Sequence, residues 1–170
     1  MVDDIVASLG HLALGTRFKR LGERMQAETT RFIEAGGMAL PASWFPLLAA
    51  LERAGGLTIG ELAQSVGVSQ PGVTRSVGRL AELGLIELVA HGSSDRRRRA
   101  VQLTDAGERL VAQARTDVWP FVEAAVSDAC EGLEGSLLDQ LAQLEARLDL
   151  DPLDRRALRH REATAEGSTR

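Results

Sequence analysis

One continuous stretch, residues 57–104, constrains the fold of this chain more than any other. Its first half holds two short helical patterns on either side of Gly67, and its second half holds two apolar runs separated by a polar, arginine-rich segment. Apolar residues at three- and four-residue spacing indicate helices, whereas short apolar runs bounded by turn residues indicate strands. We therefore predict a helix, a tight turn, a second helix and a two-stranded hairpin.

The first helix of this pair is predicted over residues 59–66. Thr58 precedes it as an N-cap, and Glu61 follows three residues later, which is the spacing of a capping box. Leu57 is predicted to form a minimal strand. Because Gly67 adopts left-handed backbone conformations easily, it is expected to end the helix in a tight turn.

The second helix is predicted to begin after Ser69 and to reach Leu83. Ser69 is expected to act as the N-cap, and Pro71 lies in the first turn, where its missing N–H is not needed. Gly84 is expected to end the helix from the C′ position. The apolar residues expected to face the core are Val73, Val77 and Leu80.

The hairpin is predicted to pair residues 85–89 with residues 100–103. The connection contains a Gly-Ser-Ser turn signal followed by one aspartate and four adjacent arginines. Thr104 is then placed to cap a helix that starts at Asp105. The fold class predicted from these elements is mainly α with a small β-wing: a winged helix-turn-helix with about six helices and a two- to three-stranded antiparallel hairpin.

The flanking segments are predicted to be helical. A long helix is expected over 5–34, a second over 43–53 with Ser43 as its N-cap, and a third from Asp105 with a kink at Pro120. A leucine stripe indicates a last helix, and the charged tail is expected to fray from about residue 160. The stripe consists of Leu133, Leu137, Leu141, Leu144 and Leu148.

Four regions follow from this pattern. Residues 1–40 are predicted to form an N-terminal helix, 41–104 a winged helix-turn-helix lobe, 105–150 the C-terminal helices, and 151–170 a charged, partly frayed tail. No apolar run approaches the length of a membrane span, and the N-terminus lacks a signal-peptide pattern, so a cytoplasmic protein is expected.

The distribution of charge points to a polyanionic partner for the middle of the chain. The formal net charge is −4, but residues 36–103 carry seven basic and five acidic side chains. Residues 104–170 carry eight basic and fourteen acidic side chains. A local basic patch matters more for binding phosphates than the overall charge. The middle segment is therefore the candidate DNA-binding surface.

In a winged helix-turn-helix, the second helix of the pair can enter the major groove with its N-terminal residues at the base edges. Glutamine can read adenine and arginine can read guanine with two hydrogen bonds each. Arginines on the wing suit the narrow minor groove, and Asp95 is expected to orient one of them. The predicted DNA-binding residues are Ser69, Gln70, Pro71, Thr74, Arg75, Arg79, Asp95, Arg96, Arg97 and Arg98.

Two segments resemble the MarR family of bacterial transcription regulators. They are LTIGELAQSVGVSQPGVTRSVGRLAELGLIEL and, more specifically, SSDRRRRAVQLTDAGERL. The resemblance implies a winged-helix homodimer that binds a palindromic operator, usually as a repressor. It also implies that both terminal regions, residues 1–40 and 105–150, are dimerisation helices that build the dimer interface. It also implies base contacts by Pro71 and Arg75, and insertion of Arg97 into the minor groove with support from Asp95. Ser69, Gln70 and Thr74 match positions that touch phosphates or bases.

The same family resemblance implies a small, often aromatic, anionic effector bound between the dimer helices and the DNA-binding lobe. This chain has few aromatic residues, and several of them occur in the corresponding segments. An ordinary packing role for these aromatics remains an equal alternative. The candidate effector-binding residues are His11, Arg17, Phe18, Trp44, Phe45 and Trp119.

Other classes of function find less support in the sequence. A winged helix can serve as a protein-interaction or architectural module without an effector, but such a module has no need of four adjacent wing arginines. No nucleophile–base pair or glycine phosphate loop indicates an enzyme or a cofactor. The histidines His11, His91 and His160 lack metal-ligand spacing. Cys130 is expected to pack in the interior rather than to act as a redox switch.

Overall fold

The computed structural model describes residues 3–90 and 99–167. The chain divides into two compact units, Met1–Val122 and Glu123–Arg170. The described residues are mainly helical, with one antiparallel hairpin. Within the described ranges, no helix is both long enough and apolar enough to cross a membrane.

The N-terminal segment is interrupted, so the prediction of one helix over 5–34 was wrong. Helix α1 spans Ile5–Ser8, a 3-10 turn spans Gly10–Ala13, and helix α2 spans Leu14–Ala35. Gly10 has a φ of 54°, which a continuing α-helix cannot accommodate. The apolar spacing continued across this position, and the spacing alone therefore concealed the break.

Helix α3 spans Phe45–Ala54 and begins two residues later than predicted. Ser43 lies inside a 3-10 turn, Ala42–Trp44, and is not the N-cap. The turn is instead fastened to α2, because the Ala42 amide donates to Thr30 Oγ1 at 3.0 Å. Pro46 lies in the first turn of α3, and Gly55 ends the helix with a φ of 74°.

The predicted helix pair is confirmed. Helix α4 spans Ile59–Val66 and helix α5 spans Gln70–Glu82. The capping box of α4 is complete: the Glu61 amide donates to Thr58 Oγ1 at 3.3 Å, and the Thr58 amide donates to Glu61 Oε2 at 2.8 Å. Gly67 has a φ of 66°, which is the left-handed conformation that the tight turn requires.

The hairpin is also confirmed. Strand β1 spans Ile86–Ala90 and strand β2 spans Arg99–Leu103, in an antiparallel register that pairs Leu88 with Val101. Leu57 adds the predicted minimal third strand, because its amide donates to the Val101 carbonyl at 3.1 Å and its carbonyl accepts from the Val101 amide at 2.8 Å.

Helix α6 spans Asp105–Asp117, with Thr104 as the predicted N-cap. The kink predicted at Pro120 is a complete break at Val118, whose φ of −125° lies outside the helical range. Helix α7, Trp119–Ala129, starts immediately afterwards. Pro120 has no N–H to donate to the preceding helical turn, and it is well placed in a first helical turn, which explains why the chain restarts here.

One hydrophobic core occupies the first unit. It combines residues from the end of α2 with the inner faces of α3, α4, α5, the hairpin and α6. Fully buried side chains dominate this core, and they come from segments far apart in the chain. The largest of them are Ile33, Leu48, Leu51, Leu62, Leu80, Val73, Val101 and Val111.

The second unit contains the end of α7, helix α8 over Leu137–Leu150 and helix α9 over Leu153–Gly167. Leu133 lies in the turn before α8, so the predicted leucine stripe begins outside the helix. Of the stripe residues on α8, Leu137, Leu141 and Leu144 are half-buried and Leu148 is exposed.

The tail differs from its prediction, because its backbone is helical to Gly167 rather than frayed from about residue 160. The turn before α9 is held by arginines of the helix. Arg156 donates to the Arg147 carbonyl at 2.8 Å and to the Asp151 carbonyl at 2.7 Å, and Arg159 pairs with the Asp151 carboxylate. The fraying was predicted because the tail has no apolar periodicity, and apolar periodicity cannot indicate polar contacts of this kind.

Candidate nucleic-acid interface

Helix α5 has one buried face and one exposed polar face. The buried face consists of Val73, Val77 and Leu80, which are between 0% and 4% exposed. Because a helix repeats every 3.6 residues, this apolar stripe leaves the remaining positions on the solvent side. All six residues predicted to bind DNA from this helix are exposed: Ser69, Gln70, Pro71, Thr74, Arg75 and Arg79.

The N-terminal end of α5 is compact. Ser69 occupies the N-cap position as predicted, but its side chain makes no capping hydrogen bond. A Cβ atom at Gly72 would lie 3.3 Å from Ser69 Oγ and from a Val68 methyl carbon, so glycine allows a close approach here. The Thr74 hydroxyl donates to the Gln70 carbonyl at 2.9 Å, which holds Thr74 against its own helix.

The two arginines of α5 differ in their surroundings. Arg79 Nη1 donates to Glu82 Oε2 at 2.9 Å, and this hydrogen bond raises the pKa of the Arg79 guanidinium. Arg75 lies one turn closer to the N-terminus and is exposed, and no salt bridge involves it among the described residues. Arg75 is therefore better placed than Arg79 to bind a base or a phosphate.

The C-terminal end of α5 is fixed by a Schellman motif. The Gly84 amide donates to the Ala81 carbonyl at 2.9 Å, and the Leu85 amide donates to the Leu80 carbonyl at 3.0 Å. Gly84 has the required left-handed conformation, with a φ of 69°. This confirms Gly84 as the predicted C′ residue and leads the chain directly from α5 into β1.

The wing is described only at its base. The predicted DNA contacts Asp95, Arg96, Arg97 and Arg98 lie outside the described residues. Arg99, the fourth of the adjacent arginines, is exposed at the start of β2 and pairs in register with Ala90.

The predicted effector-binding residues do not form one cluster within a single chain. Phe45 is buried and meets Trp119 edge-on at 6.4 Å between ring centroids, and Trp44 packs beside the same core. His11, Arg17 and Phe18 are exposed near the start of α2. The Ala42–Trp44 turn instead meets α2 at Thr30, about 18 Å further along the helix axis.

Arg115 adds a positive charge to the aromatic pair, and sequence reasoning missed it. Its guanidinium lies 5.8 Å from the Trp119 ring centroid, within the range of a cation–π interaction. It also donates to Glu52 Oε2 at 2.5 Å, which joins α6 to α3. The four-residue spacing of Arg115 and Trp119 would place them side by side on one helix. The sequence did not indicate that they also meet across the helix break at Val118.

An open cleft of about 320 Å³ lies elsewhere in the first unit. It is bounded by the turn after α2, the end of α5, the start of β1 and one face of α6. None of the six predicted effector residues lines it. Its lining consists of Gly37, Met38, Ala39, Leu40, Leu83, Leu85, Leu110 and Gln113.

Cys130 is half-buried at the end of α7, so it is less enclosed than the interior position predicted for it. Its amide donates to the Val126 carbonyl at 3.1 Å and to the Ser127 carbonyl at 3.0 Å. Among the described residues, no group of three histidine, cysteine, aspartate or glutamate side chains is arranged to hold a metal ion.

A helix pair followed by a two-stranded wing, with the second helix exposed on its polar face, defines a winged helix-turn-helix protein. Residues 40–98 match a model of the MarR family. This match covers the winged-helix lobe, whose sequence motifs resemble the same family.

Solved structures of the same fold extend beyond this lobe. A mutant of MarR from E. coli, solved in complex with operator DNA, is 20% identical, covers 86% of this chain and 97% of its own, and has a TM-score of 0.65. BpsR from Bordetella bronchiseptica, whose DNA binding is described as regulated by 6-hydroxynicotinic acid, is 24% identical and covers 80% of this chain and 92% of its own, with a TM-score of 0.63.

A third solved structure also has this fold. The transcriptional regulator BldR from Sulfolobus solfataricus is 21% identical, covers 86% of this chain and 99% of its own, and has a TM-score of 0.61. These similarities show a shared fold that includes helices on both sides of the lobe.

Proposed function

We propose that this protein is a transcriptional regulator that binds a palindromic operator as a homodimer and represses the adjacent genes. The observation that carries the proposal is the division of α5 into a buried apolar face and an exposed polar face. Gln70, Thr74 and Arg75 lie on that exposed face in the first half of the helix. The first half of a recognition helix is the part that reaches base edges in the major groove.

The chemistry of these side chains suits base reading. Glutamine can donate to and accept from adenine, and arginine can donate two hydrogen bonds to guanine. Gly72 and Pro71 keep the helix N-terminus narrow, which favours a close approach of the backbone to DNA. The mutant of MarR solved with operator DNA has the same fold, which supports this use of the surface.

The wing arginines form the second part of the proposal. Four adjacent cations supply affinity for phosphates and for the negative potential of the minor groove. We assign minor-groove insertion to Arg97 and its support to Asp95, on the family motif alone. Arg96 and Arg98 are proposed as further contacts to the DNA backbone.

A homodimer would place two such lobes on one operator. The outer helices carry large apolar side chains that are exposed in the single chain. Leu21 on α2 is 51% exposed and Leu138 on α8 is 78% exposed. Exposed apolar groups of this size are typical of surfaces that bind another protein, and a second copy would bury both helices. The two recognition helices would then lie about one turn of DNA apart.

We further propose that a small aromatic or anionic molecule releases the protein from DNA. The effector described for BpsR supports this class of ligand. Phe45, Trp119 and Arg115 bring two aromatic rings and a cation together in one chain. A ligand that favours a lobe spacing unsuited to the operator would release the protein.

The direct test is selection of bound sequences from genomic DNA, followed by footprinting. The proposal predicts protection of a sequence with two inverted half-sites. An architectural module predicts binding without sequence preference, and a protein-interaction module predicts no protection. Reporter expression with and without the protein then separates a repressor from an activator.

Effector binding is tested separately by thermal-shift screening with 6-hydroxynicotinate and other aromatic acids. The proposal predicts that a compound raising the melting temperature also lowers affinity for the selected DNA. Stabilisation without any change in DNA affinity, or no stabilisation by any acid, would contradict this part of the proposal.

A further inference from the structure

Four residues form a junction where α5, the hairpin and α6 meet. They are Gly84 and Leu85, which follow α5, and Thr104 and Gly107, which begin α6. The two pairs are separated in sequence by the whole wing. In space they are joined by short hydrogen bonds and by a backbone contact that only glycine permits.

Thr104 forms hydrogen bonds both with the segment after α5 and with the first turn of α6. Its hydroxyl donates to the Gly84 carbonyl at 2.7 Å and accepts from the Gly107 amide at 3.2 Å. Its amide donates to the Leu85 carbonyl at 3.1 Å. An ordinary N-cap satisfies only its own helix. Thr104 therefore caps α6 and also binds the segment that ends α5.

Gly107 brings the two elements into contact. A Cβ atom at this position would lie 2.0 Å from the Leu85 carbonyl oxygen and 3.1 Å from the Leu85 carbonyl carbon. Both are backbone atoms that are held by other bonds, and they cannot move aside as a side chain could. The first turn of α6 therefore lies directly against the backbone of Leu85, the residue before β1.

The junction gives α5 a direct connection to α6 that does not pass through the wing. Leu85 is tied to α5 by the Schellman bond to Leu80 and to α6 by the bond from Thr104. The base-reading residues lie at the opposite end of α5. Since α5 is about 20 Å long, a tilt of about 10° at the junction would displace its N-terminus by about 3 Å.

We propose that Thr104 and Gly107 are positioning residues that fix the angle of the recognition helix to the dimerisation helix α6, and so set the half-site spacing that the dimer accepts. This inference rests on the proposed function, because spacing has meaning only for a dimer on an operator. A displacement of a few ångströms exceeds the tolerance of a hydrogen bond to a base edge. A loosened junction should let the dimer bind operators with altered spacing.

The test measures spacing selectivity rather than affinity alone. The probes are the operator selected by the wild-type protein and two versions with half-sites one base pair closer or further apart. Thr104→Val keeps the shape of the side chain and removes both hydroxyl bonds. Thr104→Ser restores the hydroxyl. Thr58→Val removes an N-cap whose bonds stay within α4, and it is the matched control.

We expect wild type, Thr104→Ser and Thr58→Val to prefer the selected spacing strongly. Thr104→Val should lose about fivefold or more of this preference while remaining a folded dimer by sedimentation and circular dichroism. If Thr104→Val weakens binding to all three operators equally, the residue is only a helix cap and the inference is wrong. If wild type selects no sequence at all, the proposed function fails and the inference fails with it.

Gly107→Ala provides a second, independent disturbance of the same contact. It should relax the spacing preference at least as much as Thr104→Val, because α6 must move away from Leu85. Should this variant not fold, the hydrogen exchange of Thr104→Val gives the alternative measurement. The amides of Leu85 and Gly107 should then exchange faster than in Thr58→Val, and unchanged exchange at both amides would overturn the inference.

Discussion

The two units of this protein are stabilised in different ways. The first unit has a continuous core whose largest side chains are completely buried. In α8 of the second unit no side chain is buried, and the described arginine contacts lie near the surface. Exposed ion pairs add little to stability, whereas buried apolar area adds most of it.

The difference indicates which part of the chain can hold its shape alone. The core of the first unit is formed within one chain, and the polar face of α5 is exposed. The second unit keeps its apolar residues at its surface: Leu138 is 78% exposed and Leu150 is 86% exposed. On the proposed function, a second copy of the chain would cover such residues. The winged-helix lobe would then carry stability and recognition, and assembly would depend on α2 of the first unit as well as on the second unit.

The largest expected effect comes from the core of the lobe. Leu48→Ala removes a side chain that is 0% exposed and should lower the free energy of unfolding by about 2–5 kcal/mol. Urea denaturation of the lobe, followed by tryptophan fluorescence, measures this change. Leu138→Ala is the matched control, and it should leave the lobe transition unchanged while weakening the dimer in sedimentation experiments. Equal destabilisation of the lobe by both variants would remove the contrast between the units.

The next effect concerns base recognition by α5. Arg75→Ala should weaken binding to the selected operator by roughly 1–3 kcal/mol and relax the base preference at one position of each half-site. Arg53→Ala is the control, because Arg53 is an exposed arginine of the same lobe on α3. Fluorescence anisotropy with the operator and its single-base variants provides the measurement. Full affinity of the Arg75 variant would show that α5 does not read DNA through this residue.

A smaller effect is expected from the wing, and it should concern overall affinity and salt dependence rather than base preference. Arg97→Ala should weaken binding to all sequences and lower the salt slope of the binding constant by about one. The measurement is a titration of the same operator at several salt concentrations. A variant with an unchanged salt slope would argue against a phosphate or minor-groove role for Arg97.

The smallest expected effect is the pH dependence of the second unit. Hydrogen bonding to Arg159, together with the nearby charge of Arg156, lowers the pKa of Asp151 below its usual value of 3.8. A carboxyl group with a depressed folded-state pKa stabilises the fold above its unfolded pKa, and this contribution is lost as the pH falls through the folded value. Helix content should therefore decline below about pH 4.

Circular dichroism of wild type and Asp151→Asn tests this expectation. The variant lacks the titrating group and should show less helix at neutral pH and a flatter acid profile. Because these side chains are exposed, the difference should be small. Identical acid profiles for the two proteins would mean that the Asp151 contacts do not hold the turn before α9.

Much of the lobe could be predicted from sequence because its signals are local. The Thr58–Glu61 capping box, Gly84 at C′ and Thr104 as an N-cap each follow from residues a few positions apart. The break at Gly10 and the displaced start of α3 could not be predicted in this way. The first depends on a backbone angle within an otherwise regular pattern, and the second on a hydrogen bond to Thr30 from a turn twelve residues later.

The candidate site likewise has features that follow from local sequence and features that depend on distant residues. Exposure of the α5 residues follows from helical periodicity and is confirmed, whereas their contacts with DNA remain proposals. The grouping of Phe45, Trp119 and Arg115 and the approach of Gly107 to Leu85 join residues distant in sequence. Local sequence patterns cannot predict these two contacts, because both contacts depend on how α6 packs against the rest of the lobe.

The most direct test of the account is footprinting of the full chain on sequences selected from genomic DNA, with wild type and Arg75→Ala compared side by side. The account predicts that wild type protects two inverted half-sites about one helical turn apart, and that Arg75→Ala loses this protection at the same protein concentration. Selection without enrichment of any sequence, or an identical footprint for both proteins, would contradict the claim that this lobe reads DNA through α5.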